Sequence, residues 1–160
     1  MIQNLKEWFD TLIIPREELS NMPICPFARA VIQNKEYFIQ ETNLDKIPIQ
    51  GSTCDVYQYK VCIFYFPDYE NYSVEALEMK TRHLNKNLIQ SNKVVLDSDP
   101  RNPFSINGVT TTFPDCYIWI IQDLADLTSK SNSLKFTDYY KHWTQEQIDE
   151  VVTWRNPTQI

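Results

Sequence analysis

The chain has 160 residues, with 15 Lys and Arg against 21 Asp and Glu, a formal net charge of −6 and a pI near 4.9. That length suits one domain, 1–160, able to bury roughly two thirds of its surface without a metal or disulfide staple. The acidic balance, with no cluster of Lys or Arg, excludes a broad phosphate-binding face and so argues against nucleic acid as partner.

Leu5, Trp8, Phe9, Leu12 and Ile13 recur at helical spacing, and Pro15 stops the pattern, so the first element is an amphipathic helix packed on the body. A short helix follows Cys25, with Pro26 suited to its first position and Cys25 at the N-cap. Glu36–Glu41 reads as a strand rich in β-formers. After a connection holding Pro48 and Gly51, Val56–Phe66 gives the strongest strand signal, with Tyr57, Tyr59, Val61, Ile63 and Tyr65 alternating against Gln58, Lys60, Cys62 and Phe64. It is expected to be central in the sheet.

Ser73 to about Gln90 keeps helical spacing through Val74, Leu77, Leu84 and Leu88, with Glu78 and Arg82 at i, i+4. Lys93–Leu96 is a short strand, Ser98–Asn107 a loop carrying Pro100 and Pro103, and Tyr117–Ile121 an apolar run suited to a strand covered on both faces. Asp123 then looks like an N-cap. A helix around Tyr139 and another from Thr144, whose capping box uses Gln147, complete the order. This succession predicts an α+β fold: a two-layer sandwich with a mostly antiparallel sheet, ferredoxin-like or related, carrying extra N- and C-terminal helices. Crossover from Val56–Phe66 through the long helix to Lys93–Leu96 sets those strands parallel.

No segment approaches the roughly 20 apolar residues of a membrane span, and the N-terminus lacks a basic region followed by an apolar run. Cys25, Cys54, Cys62 and Cys116 form no C-x-x-C pair and no Cys–His set at zinc spacing, so neither a metal nor a cofactor is expected. These traits suit a cytoplasmic protein with reduced thiols. Abundant Ile, Asn and Lys with scarce Ala and Gly are the bias of A/T-rich codons, as in a phage or low-GC bacterium.

Two places carry chemistry. Cys25 faces unpaired amides at a helix start with Arg29 one turn on, the setting that stabilises a thiolate; the alternative is a small core residue among Met22, Pro23, Ile24 and Phe27. Asp97 and Asp99 follow a strand and could hold a divalent cation against a phosphate, or simply start a turn that Pro100 completes. Asp97-Ser98-Asp99 superficially resembles the first motif of haloacid-dehalogenase-type phosphatases and the metal motif of nucleotide-sugar transferases, but no glycine-rich phosphate loop accompanies it. His83 and His142 lie on expected helices without ligand partners at i±3 or i±4 and read as surface or packing residues.

Trp8-Phe9, Leu12–Ile14, Cys25-Pro26-Phe27-Ala28, the Pro100–Phe104 loop and Pro114 before an apolar strand together resemble a bacterial family of unknown function with a Cys-Pro-Phe-Ala motif. The resemblance spans roughly residues 5–128 and is specific only at that motif. The family's loop histidine is Asp99 here, its Arg-Ser-Pro-Tyr-Pro arginine is missing from Thr112-Phe113-Pro114, and its following histidine is absent from Tyr117–Gln122. The family implies no reaction. Two functions remain: a binding or regulatory module for a protein or small-molecule partner, and a thiol-dependent enzyme or redox protein with Cys25 as nucleophile and Arg29 as stabiliser. The first is favoured because no histidine can be assigned as base.

Overall fold

A computed structural model describes residues 1–45 and 58–155. The connection with Pro48 and Gly51, the thiol of Cys54 and the expected strand start at Val56 and Tyr57 lie outside those residues. The central sheet has four strands, β3 (Tyr37–Glu41), β4 (Val61–Phe66), β5 (Lys93–Ser98) and β8 (Tyr117–Asp123), in the order β3-β4-β8-β5. Strands β3 and β4 are parallel, with Tyr37 opposite Val61, while β8 runs antiparallel to both β4 and β5, pairing Phe64 with Trp119 and Val95 with Ile121. Two short hairpins, β1 (Pro15–Arg16) with β2 (Met22–Pro23) and β6 (Ser105–Ile106) with β7 (Val109–Thr110), lie outside it.

All of Val61–Phe66 is buried, as a central strand requires, because side chains alternate between two covered faces. Cys62, Phe64 and Phe66 join Val95, Tyr117, Trp119 and Ile121 beneath Leu77, Leu84 and Leu88 of α3 (Val74–Leu88). Val61, Ile63, Tyr65 and Ile118 meet Leu5, Phe9 and Leu12, from α1 (Ile2–Thr11) and its C-cap, and Ala28 and Val31 of α2 (Ala28–Gln33). Each such Leu, Ile or Phe contributes about 1.5–3 kcal/mol by leaving water. The α+β class and the mostly antiparallel sheet hold, but helices cover both faces, so the layers number three where a two-layer sandwich was expected.

Strands β4 and β5 do run in the same direction, since both oppose β8, yet β8 separates them. The unit β4–α3–β5 is therefore a split βαβ. Ser73 starts α3 by accepting the Ala76 N–H at 3.1 Å. Asn92, left-handed at φ 57, reverses the chain into β5. Its side chain then donates to Asp123 and accepts from Ala125 N–H. Asp123 caps α4 (Leu124–Leu134) through the Asp126 N–H at 2.9 Å, and Thr144 and Gln147 form the expected capping box on α5 (Gln145–Val151). The helix expected around Tyr139 is only a 3₁₀ turn, Tyr139–His142. No described helix is long and apolar enough to cross a membrane.

The outer edge of β5 bears on the site. Asn85 of α3 donates to the Val95 carbonyl and accepts from the Val95 N–H, both at 2.9 Å. One amide side chain thus occupies backbone groups that a further strand would use.

Candidate functional site

The chain reaches Cys25 directly from the β1–β2 hairpin, and its N–H donates to the Leu12 carbonyl at 2.8 Å. Helix α2 begins at Ala28 with Phe27 as N-cap, because Pro26 and Phe27 form a turn in which the Ala28 N–H bonds the Cys25 carbonyl at 3.2 Å. Cys25 therefore precedes the N-cap rather than occupying it. Burial pushes its thiol up; hydrogen bonds from the Ala28 and Phe27 backbone and the charge of Lys130 oppose that rise without overcoming it. The side chain expected to stabilise a thiolate lies elsewhere: exposed Arg29 reaches the Ile13 carbonyl at 3.5 Å.

Cys25 lines a groove of about 1720 Å³ that also takes in Asp97, Asp99 and much of the C-terminal segment. That exceeds the roughly 300–1,000 Å³ of a small-molecule pocket, so a ligand would occupy only part of it. One part is rich in rings. Trp143 packs against Phe104 at 5.8 Å, Tyr139 at 5.7 Å and Tyr140 at 5.4 Å between centroids, and the Tyr139 hydroxyl donates to the Ile24 carbonyl at 2.5 Å, beside Cys25. Lys130 stands 5.4 Å from the Phe27 ring centroid and pairs with Asp126 at 2.6 Å. Behind these residues, Arg155 is 2% exposed and donates from Nη2 to Ser131 Oγ at 2.7 Å.

Burial lowers the Arg155 pKa, which only the phenolate charge of Tyr140 and Tyr139 would oppose; burial pushes both phenols up, so they are neutral at ordinary pH and supply no such charge. No histidine is among the described residues of the groove, so the Cys25 thiol has no imidazole base within it.

Farther along, Tyr117 donates to Asp97 Oδ2 at 2.8 Å and shares a 2.8 Å hydrogen bond with Thr81, while the Trp119 indole N–H reaches Thr81 at 2.9 Å and Tyr117 at 3.1 Å. This connected chain satisfies the polar atoms of a buried aromatic core and ends on a carboxylate at the groove wall. Asp97 keeps an open outer edge, yet burial of its carboxyl raises the pKa, opposed by the Tyr117 hydroxyl and its own N–H and aided by Glu78 and Asp99. Asp99 behaves differently. Burial would raise it, but the fork of Arg101, at 3.0 and 2.7 Å, holds it below the ordinary carboxylate range. Its carbonyl accepts the Asn102 N–H at 3.0 Å, closing the turn that contains Pro100.

Cys25, Asp97 and Asp99 thus share one groove, whereas Arg29 is not among its lining residues. Sequence reasoning missed Lys130, Ser131, Tyr139, Tyr140 and Arg155, whose roles depend on folding the C-terminal segment against Cys25. It also missed a contact between Ser20 Oγ and His142 Nε2 at 2.8 Å. The Ser20 and Asn21 N–H groups bond to Glu17 and Arg16 carbonyls, leaving neither for an oxyanion. That Ser–His contact fastens the C-terminal segment to the first hairpin.

No family model, curated protein or solved structure matches the chain.

Proposed function

We propose that the chain is a non-catalytic binding module whose ligand is a small molecule with a flat or apolar body, held in the groove beside Phe104, Tyr139, Tyr140 and Trp143. The observation that carries this reading is the composition of the wall: rings in mutual contact, a few polar donors and a thiol kept protonated by burial. Binding sites have this make-up, with apolar walls for affinity and sparse polar groups for orientation. A nucleophilic cysteine needs the opposite electrostatics, a lowered pKa and an adjacent base. Scattered cysteines without a C-x-x-C motif suit a reducing cytoplasm, and the charge of −6 argues against a nucleic-acid partner.

Saturation-transfer NMR with a panel of neutral aromatic fragments tests the reading. Fragments should receive magnetisation from the native protein and lose it in Trp143→Ala. A p-nitrophenyl acetate burst that disappears in Cys25→Ser would instead favour the thiol enzyme.

A further inference from the structure

We propose that the part of the groove lined by Arg155, Ser131, Tyr140 and Lys130 is an oxyanion subsite, taking the carboxylate or phosphate group of a small molecule whose body lies against Tyr139, Trp143 and Phe104. The proposal rests on the groove being a ligand site and adds the ligand's charge and polar group. Its basis is Arg155, a residue type almost never fully buried without a partner. It is 2% exposed, its one hydrogen bond goes to a neutral hydroxyl, and its Nε and Nη1 are sealed from water with no acceptor. No described carboxylate forms a salt bridge with it.

Arginine has no acceptor atoms, so the complementary group must accept hydrogen bonds, and a buried cation favours one that is negative. The surroundings agree. The Tyr140 phenol is a neutral donor close enough to influence the guanidinium, and Ser131 supplies another hydroxyl, while the Tyr139 proton is already given to the Ile24 carbonyl. The facing charges are mixed: Lys130 is neutralised by Asp126, while Glu146 and Glu150 also line the groove. Arg155 is the buried cation among the groove's described residues, since Lys60, Arg82 and Lys86 are exposed and Lys130 is half-buried.

The test titrates the full chain, in a buffer of non-coordinating ions, with phenyl phosphate, benzoate and neutral benzyl alcohol, followed through the Trp143 indole resonance. At least one anion should bind about tenfold or more tighter than benzyl alcohol, a difference of about 1.4 kcal/mol; the tighter anion identifies phosphate or carboxylate as the group taken. Arg155→Met should abolish that preference while benzyl alcohol binds as before, and Arg155→Lys, which keeps the charge but loses the planar fork, should weaken it several-fold. Equal binding of all three probes by the native chain, or an unchanged preference in Arg155→Lys or in Arg155→Met, would overturn the subsite while the groove survives as a ligand site. If no probe binds, both readings fall.

Discussion

Replacing Asn85 with alanine should destabilise the fold far more than a one-side-chain polar change on a helix suggests. The amide makes two 2.9 Å hydrogen bonds to Val95, one to its N–H and one to its carbonyl. Asn85 is 7% exposed and Val95 1%, so water cannot readily take over. Leaving each of two buried backbone groups unsatisfied costs about 1–3 kcal/mol, giving about 2–6 kcal/mol together. Alanine's better helix propensity returns up to about 0.7 kcal/mol. The net loss is therefore about 1.3–5.3 kcal/mol, a large share of the about 5–15 kcal/mol that holds a typical domain together. Urea unfolding should show a lower midpoint with unchanged slope, and hydrogen exchange should quicken at the Val95 amide more than at Ile121 across the ladder. A loss under about 0.5 kcal/mol with Val95 still protected would refute the argument that Asn85 seals this edge.

Three further outcomes follow from the electrostatics and packing of the site. In a Cys54→Ser background, half-buried Cys25 should be alkylated by iodoacetamide before enclosed Cys62 and Cys116, whose thiol in the latter case is pushed up to about 11. At neutral pH its rate should nevertheless stay below that of a cysteine in a short peptide, since the raised pKa starves it of thiolate; a faster rate would contradict the burial argument. For Asp97 the folded pKa lies above the unfolded one, so its contribution is present below the unfolded pKa and is lost as pH rises through the folded value. Asp97→Asn should therefore gain stability relative to the native chain as pH climbs from acid to neutral, and a difference in unfolding midpoint that is flat across that range would refute the sign. Arg155→Met, in anion-free buffer, should melt no lower than the native chain because it removes an uncompensated buried cation; a drop of many degrees would make the guanidinium a structural prop.

The sequence signals that survived folding were local or periodic. Alternation across Val61–Phe66 correctly separated the two faces of β4, and Ser73, Asp123 and the Thr144–Gln147 box marked helix starts where the chain uses them. Asn107-Gly108 was a readable hairpin turn, with φ 47 and 80 between Ile106 and Val109, yet it sat in a segment read partly as loop. The layering escaped because the apolar stripe of α1 was legible, but a stripe alone does not say which face of a sheet it covers. The same limit governs the site. Pro26 suggested a helix start one residue away from Cys25, but the balance between amide donors and burial at the thiol depends on packing against the C-terminal segment, more than a hundred positions away in sequence as the Tyr139–Ile24 hydrogen bond shows. Arg29 was chosen by its proximity in sequence, whereas the cation affecting Cys25 is Lys130 on α4.

The central claim is that this groove, with a protonated thiol and a wall of rings, binds a small molecule. Two-dimensional ¹H–¹⁵N spectra of the tryptophan indoles during titration with benzyl alcohol test it most directly, since Trp143 lines the groove and Trp119 is sealed in the core. Saturable movement of the Trp143 resonance, with Trp119 stationary, is the predicted result. A stationary Trp143 at saturating probe, or equal movement of both indoles, would contradict the account.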